Sequence, residues 1–437
     1  MTGPILSAPG NRIAPWEHAD NRTETDLTRS APRKGYGVAL LMALVHMLAV
    51  GDRFLLSILI EPIKTALHLG DGAIGFVQGP AFALINGLAV IPMIMAARRW
   101  PLARLLALAL LGSSLATLAC GWAGSVEALI AARMLMGLAQ AAIGPAAIGL
   151  IVLTMIPAHR GRGIAFFTAD ASLGRGVAMI GGGGLLALLA ALAPQTGIAP
   201  WRLVLIVAAL LALPFILTLY LWREPVRHAR PATARMGPAL RGMIADRAAL
   251  APHILAALCG VLALQSLTSW SASLLIRQHG LTPPPAGLQV GLAIMLAGMA
   301  GHGLGGWLSD RLGQGARVAP GLMLLGLGLC GLTLWPLTRS PSVAMALAAL
   351  TLAVVGLSMA LANAMIGLQA RTDAGLRVEA TAIFLTIVTL LGTALGPWAV
   401  GLASQALAGL ADAVGMVLGA TCVLGCAAAG IAVRRAR

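Results

Sequence analysis

The run VALLMALVHMLAVGDRFLLSIL, residues 38–59, decides how the rest of the chain is read. Crossing the hydrocarbon core of a bilayer takes about 20 apolar residues, and this run is long enough. Asp52-Arg53 sits inside it. At a helix centre each such charge costs roughly 2.5–3.5 kcal/mol on the insertion scale, so intramembrane charges face a bundle interior or a wet cavity. The pair marks a path through the membrane.

The composition agrees. Of 437 residues, 59% are hydrophobic and only 10% charged, against about 25% charged in a soluble domain. One aqueous core cannot hide that much apolar surface, so the chain reads as a polytopic membrane protein. The net charge of +15 does not point to nucleic acid, because the basic residues are scattered between apolar runs, where they act as orientation signals. Cys120, Cys259, Cys330, Cys422 and Cys426 all fall in apolar runs and read as small buried hydrophobes. Their spacing matches neither a disulfide framework nor a metal site. No cofactor motif, nucleophile elbow or phosphate loop is present; Gly181 to Gly184 lie within an apolar span. The chain does not read as an enzyme.

Residues 1–35 are polar and proline-bearing, without the apolar core of a signal peptide, and are expected to form a disordered tail. Twelve apolar spans follow: 38–60, 73–95, 102–121, 126–155, 163–190, 201–222, 250–275, 287–308, 318–337, 343–368, 380–404 and 413–433. The fourth is over-long, which predicts tilt or an overrun of the interface. A polar loop at 223–248 separates an N-terminal six-helix half (36–222) from a C-terminal one (249–433), with a basic tail at 434–437. Most basic residues fall in the terminal tails, the central loop and the short loops on the same side, whereas Lys64, Arg202, Arg277 and Arg339 fall opposite. That bias predicts both termini in the cytoplasm. The end of the second span, Pro92 to Arg99, echoes the end of the eighth, Gly305 to Arg311, about half the chain away. Parallel six-helix repeats with a site at their interface are a known transporter plan.

The run Asp52-Arg53-Phe54-Leu55-Leu56-Ser57, followed by Glu61-Pro62-Ile63-Lys64, Gly75, Gln78-Gly79 and Ala81-Phe82-Ala83, resembles the Spinster-like branch of the major facilitator superfamily. The superfamily's inner-loop motif stands at Gly306 and Asp310-Arg311. The resemblance implies an all-α major facilitator fold, alternating access, lipid-like substrates and proton coupling. It also implies a gating loop at Gly306, Asp310 and Arg311; Arg98 and Arg99 at the matching place in the first half, and Glu379 near Arg371 and Arg377, are read as gating residues beside it. The sequence departs from the family in the first-half motif, where Ile94 and Arg98 replace Gly and Asp. Gln140 stands where the family has a proton-coupling Glu, and Leu153 where an acid is usual.

Asp52 and Arg53 are neighbours on a helix and point about 100° apart, so each needs its own partner. A carboxyl in such a place titrates according to its burial and to nearby guanidinium groups, and so can carry a proton. Arg133, Gly137, Gln140 and Gly144 share one helix face, a cationic stripe suited to an anionic headgroup. Asp170 and Arg175 lie in the fifth span among glycines that permit close helix approach. Gln265, Trp270 and Asn363 are the second half's candidates, with Ser266, Ser269, His302, Thr386 and Thr389 as thinner ones. His46 lies ahead of Asp52 on the first span.

These residues predict a secondary active transporter of an organic anion or amphipathic solute, present as a monomer in a bacterial inner membrane. Arg53, Arg133, Gln140, Arg175, Gln265, Trp270 and Asn363 are expected to bind substrate; Asp52 and Asp170 are expected to carry protons. An ion-independent facilitator and a non-transporting receptor on the same scaffold are the alternatives.

Overall fold

The computed structural model describes residues 32–224, 236–313 and 316–436. Twelve helices among them are long and apolar enough to cross a membrane. Hydrocarbon offers backbone N–H and C=O groups no partners, so each crossing segment must satisfy its own, and helices do so.

The first-half spans are Gly35–Leu67, Asp71–Arg99, Leu102–Trp122, Val126–Thr154, Ser172–Ala190 and Pro200–Leu221. Those of the second half are Arg247–His279, Pro283–Arg311, Val318–Arg339, Val343–Arg371, Glu379–Ala406 and Leu410–Arg435. Three first-half spans are interrupted. The second breaks at Gly79, ahead of Pro80. The fourth divides into Val126–Gln140 and Ile143–Thr154, with Pro145 just beyond the break. The sixth divides at Ala212, ahead of Pro214. A proline cannot donate its i→i−4 bond and crowds the preceding turn, so the over-long fourth span is two stacked helices.

Other boundaries also move. The first helix begins at Pro32, inside the segment expected to be a tail; residues 1–31 lie outside the described residues. Within the central loop, Met236–Ala245 is helical, and the last helix runs through Arg434 and Arg435.

The two halves repeat one packing plan. The second span packs on the fourth as the eighth does on the tenth, and the third on the sixth as the ninth on the twelfth. The halves meet where the fifth span packs on the eighth, the second on the eleventh and the first on the seventh. Apolar contact across this seam is one-sided. A core cluster of the second half extends into the first through Leu55 to Ile63, Ile74, Val77, Leu129 and Met179, all on the side away from the termini. Nearer the termini, Met42, Val45, Leu106, Leu110, Ala146 and Leu150 form a core of the first half alone.

Lipid tails are as apolar as leucine, so close van der Waals contact between small residues must hold the seam. A Cβ on Gly75 would lie 2.7 Å from the Pro397 carbonyl oxygen, and one on Gly176 would lie 2.7 Å from that of Gly291. No side chain fits at either place without moving the helices apart.

Candidate functional site

Asp52 and Arg53 diverge as neighbours on a helix must. Asp52 turns back into the first half and is 7% exposed. Ser113 Oγ of the third span donates to its Oδ2 at 3.4 Å. Gln140 Nε2 donates to the same Ser113 Oγ at 2.9 Å and to the Ala49 carbonyl at 2.9 Å. Asp52, Ser113 and Gln140 therefore form one polar chain across spans one, three and four. The hydrogen-bond partners of Asp52 and Gln140 all lie in the first half.

Arg53 takes the other direction. Its Nη2 donates to Thr393 Oγ1 of the eleventh span at 3.2 Å, and Gln265 Nε2 of the seventh donates to the same hydroxyl at 3.2 Å. The Arg53 guanidinium lies 5.1 Å from the Phe54 ring centroid and 4.8 Å from that of Phe82. Arg175 lies 5.2 Å over the same Phe54 ring. Both cations rest on aromatic faces, whose quadrupole attracts them. Arg53 and Arg175 are half-buried.

Arg133 stands behind this pair and is fully buried. Its Nε donates to the Val77 carbonyl at 3.2 Å and its Nη1 to the Arg53 carbonyl at 3.3 Å, while its ring partner is Phe82 at 5.5 Å. Its Nη2 has no hydrogen-bond partner. The geometry makes Arg133 a brace for the backbone of the first two spans, contributing charge from behind. Arg53, Arg133 and Arg175 gather around Phe54 and Phe82 with Asp52 as the acid beside them, so the region is cationic.

Not every expected residue joins this group. Trp270 is fully buried, and its Nε1 donates to the Pro397 carbonyl at 2.9 Å. Asn363 Nδ2 donates to the Gly305 and Met359 carbonyls at 3.2 and 3.0 Å. Both are bound within the second half. His302 Nδ1 lies 2.8 Å from the Gly298 carbonyl oxygen. The side chain of Asp170 lies outside the described residues. Arg98 and Arg99 are exposed at the end of the second span, with Gly306, Asp310 and Arg311 ending the eighth. Arg311 lies 5.2 Å over its own helix's Trp307, and Glu379 lies in the first turn of the eleventh span's helix, Arg377–Ala406.

The sequence reading missed the far-end cluster. Asp71 receives Arg277 in a two-pronged ion pair, Nη1 to Oδ2 at 2.7 Å and Nη2 to Oδ1 at 2.8 Å. Arg277 Nε also donates to Glu61 Oε1 at 2.9 Å. Lys64 bonds Asp71 Oδ1, and Ser404 Oγ donates to Oδ2 at 2.6 Å. Five side chains from spans one, two, seven and eleven thus tie the halves together at the end away from the termini. Forked arginine–carboxylate pairs of this kind are strong and directional. A cavity of about 470 Å³, lined in part by Arg277, Gln278, Ser404 and Gln405, opens beside the cluster. The only advance signal was Lys64 and Arg277 on the side opposite the other basic residues.

Twelve spans in two repeated halves, shut by polar and glycine contacts at one end around a cationic centre, define a multi-pass membrane transporter. Residues 42–397 match the sequence model of the Major Facilitator Superfamily, and the chain belongs to that family, one of transporters and not of enzymes. It is 28% identical over 418 residues to an MFS-type efflux pump of Mycolicibacterium smegmatis, covering 92% of this chain and 90% of that one. Its fold is similar to the crystal structure of a bacterial homolog of the human lysosomal transporter Spinster, inward-facing and unoccupied. That match has a TM-score of 0.81 and 24% identity, covering 93% of this chain and 97% of the other. A D-xylose–proton symporter is similar at TM-score 0.67 and 15% identity, over 89% and 97% of the two chains.

Proposed function

We propose that the chain moves an organic anion or an anionic amphipathic solute by alternating access, coupled to protons through Asp52. The observation that carries the reading is the bridge from Arg53 to Thr393 and Gln265, with Arg175 over the same Phe54 ring. Such a site lies on the seam, so both halves contribute to it. Two half-buried guanidiniums on aromatic faces suit a carboxylate or phosphate next to an apolar body.

The excess of Lys and Arg on the terminal side supports cytoplasmic termini. In that orientation the Asp71–Arg277 cluster closes the outer end and the described state is inward-facing. Site and closure are both built within one chain, which supports a monomer as the transporting unit. The similarity to a mycobacterial efflux pump favours export.

For coupling, protonation of Asp52 changes what Ser113 can bond, and Ser113 is also held by Gln140. The carbonyl of Ala49, one turn before Asp52, shares that Gln140 amide. A proton on Asp52 would thereby alter the packing of the first span, which carries Arg53. Gln140 cannot itself exchange a proton at neutral pH, and this favours a second reading, ion-independent facilitation.

A thermal-shift screen of the purified chain against carboxylates, organic phosphates and lysophospholipids tests the substrate class. Native-state ligands raise apparent stability by mass action, about 2.7 kcal/mol at a hundredfold excess over Kd. Anionic hits that vanish in Arg53→Gln are expected; hits confined to neutral or cationic compounds would reject the reading.

A further inference from the structure

On the terminal side a second basic feature lies apart from the seam. A cavity of about 380 Å³ opens between the loop joining spans two and three and the end of span six. It is lined by Arg99, Trp100, Pro101, Arg104, Leu108 and Tyr220. All six residues are exposed. Among the described residues neither Arg99 nor Arg104 has a carboxylate within ion-pair reach. Glu224, just past the sixth span, commits an oxygen to the Ala103 amide at 3.1 Å.

The residue types are ordered by depth. Trp and Tyr are enriched at the headgroup level, where an amphipathic ring meets both phases. Arg104 lies one helical turn nearer the surface than Leu108, about 6 Å at the α-helical rise. Exposed Leu217 continues the apolar wall on the sixth span, one turn deeper than Tyr220. The groove therefore offers guanidinium donors at its mouth, aromatic rings at the interface and leucines below.

We propose that this groove holds the headgroup phosphate of an anionic glycerophospholipid from the adjoining leaflet, with an acyl chain along Leu108 and Leu217. Basic pockets between spans on the cytoplasmic side are suited to such headgroups. Two cations outside ion-pair reach of any described carboxylate favour an anionic lipid over a zwitterionic one. Arg99 then anchors the loop between spans two and three to the membrane surface, independently of what the seam transports.

The test is a native mass spectrometric titration of the full chain in detergent with dioleoylphosphatidylglycerol, dioleoylphosphatidylcholine and sodium phosphate. The wild type should bind one phosphatidylglycerol well ahead of phosphatidylcholine, with free phosphate far weaker than the lipid. Arg99→Gln/Arg104→Gln should weaken that binding about 30-fold, each surface cation contributing about fivefold. Arg99→Lys/Arg104→Lys should retain most of it, and Arg241→Gln/Arg434→Gln, removing equal charge elsewhere, should change nothing. Unaltered binding in the first Gln pair, equal loss in the distant pair, or free phosphate binding as tightly as lipid would each overturn the proposal.

Discussion

Arg53 and Thr393, 340 residues apart, share a 3.2 Å hydrogen bond across the seam between the halves. Thr393 Oγ1 also accepts from Gln265 Nε2, so one hydroxyl is shared by a cation of the first half and an amide of the second. An anion that takes the Arg53 guanidinium away from Thr393 changes a contact between halves directly. In the proposed cycle that is the physical link between binding and movement.

Arg53→Gln removes the charge and should weaken binding of an anionic ligand by about 10- to 150-fold, as a charged hydrogen bond contributes roughly 1.5–3 kcal/mol. Arg53→Lys should recover only part of it, because an ammonium lacks the planar fork with which a guanidinium meets a carboxylate or phosphate. Isothermal titration with the anion selected by thermal shift checks both values.

Thr393→Val should act differently. It leaves Arg53 charged but releases both Arg53 and Gln265, so ligand affinity should hold within a few-fold while the rate of interconversion changes. Comparing equilibrium binding with exchange flux in proteoliposomes separates the two effects.

Asp71→Asn breaks the forked pair with Arg277 at the far end. Arg277 is about a quarter exposed, so the loss should lie between that of a surface pair and a buried one, roughly 1–3 kcal/mol. On a two-state equilibrium that is about a 5- to 150-fold shift toward the state open at that end. Spin-label distances between the ends of spans two and eleven should lengthen in the variant. An unchanged distribution would show that glycine packing alone closes this end.

Gly75→Val tests that packing. Its Cβ would fall 2.7 Å from the Pro397 carbonyl oxygen, so the far end cannot close without strain. Lower thermal stability in the state closed at that end, or a shift away from it by the same spin labels, is expected.

The fold was legible because the bilayer imposes helix length and internal bonding on every crossing segment. Asp52 and Arg53 were legible because charge in hydrocarbon is too costly to keep without use. Their separate destinations also followed from helix geometry, although which faced the seam did not. Trp270 and Asn363 read as cavity residues, and their N–H groups donate to backbone carbonyls within their own half. Periodicity cannot tell a polar atom that answers a neighbouring backbone from one that answers a substrate. The Asp71–Arg277 pair joins helix ends 206 residues apart, where charges are ordinary in any membrane protein. Thr393 and Ser113 are hydroxyls in apolar runs, and only the packing of distant helices gives them partners.

The most direct measurement is pH-gradient-driven flux of the stabilising anion in proteoliposomes, wild type against Asp52→Asn. The amide keeps the shape of Asp52 and its place beside Ser113 but cannot exchange a proton. Gradient-driven flux should fall to the level seen without a gradient, while anion–anion exchange through Arg53 and Arg175 persists. Flux that still follows the pH gradient in Asp52→Asn would contradict the account.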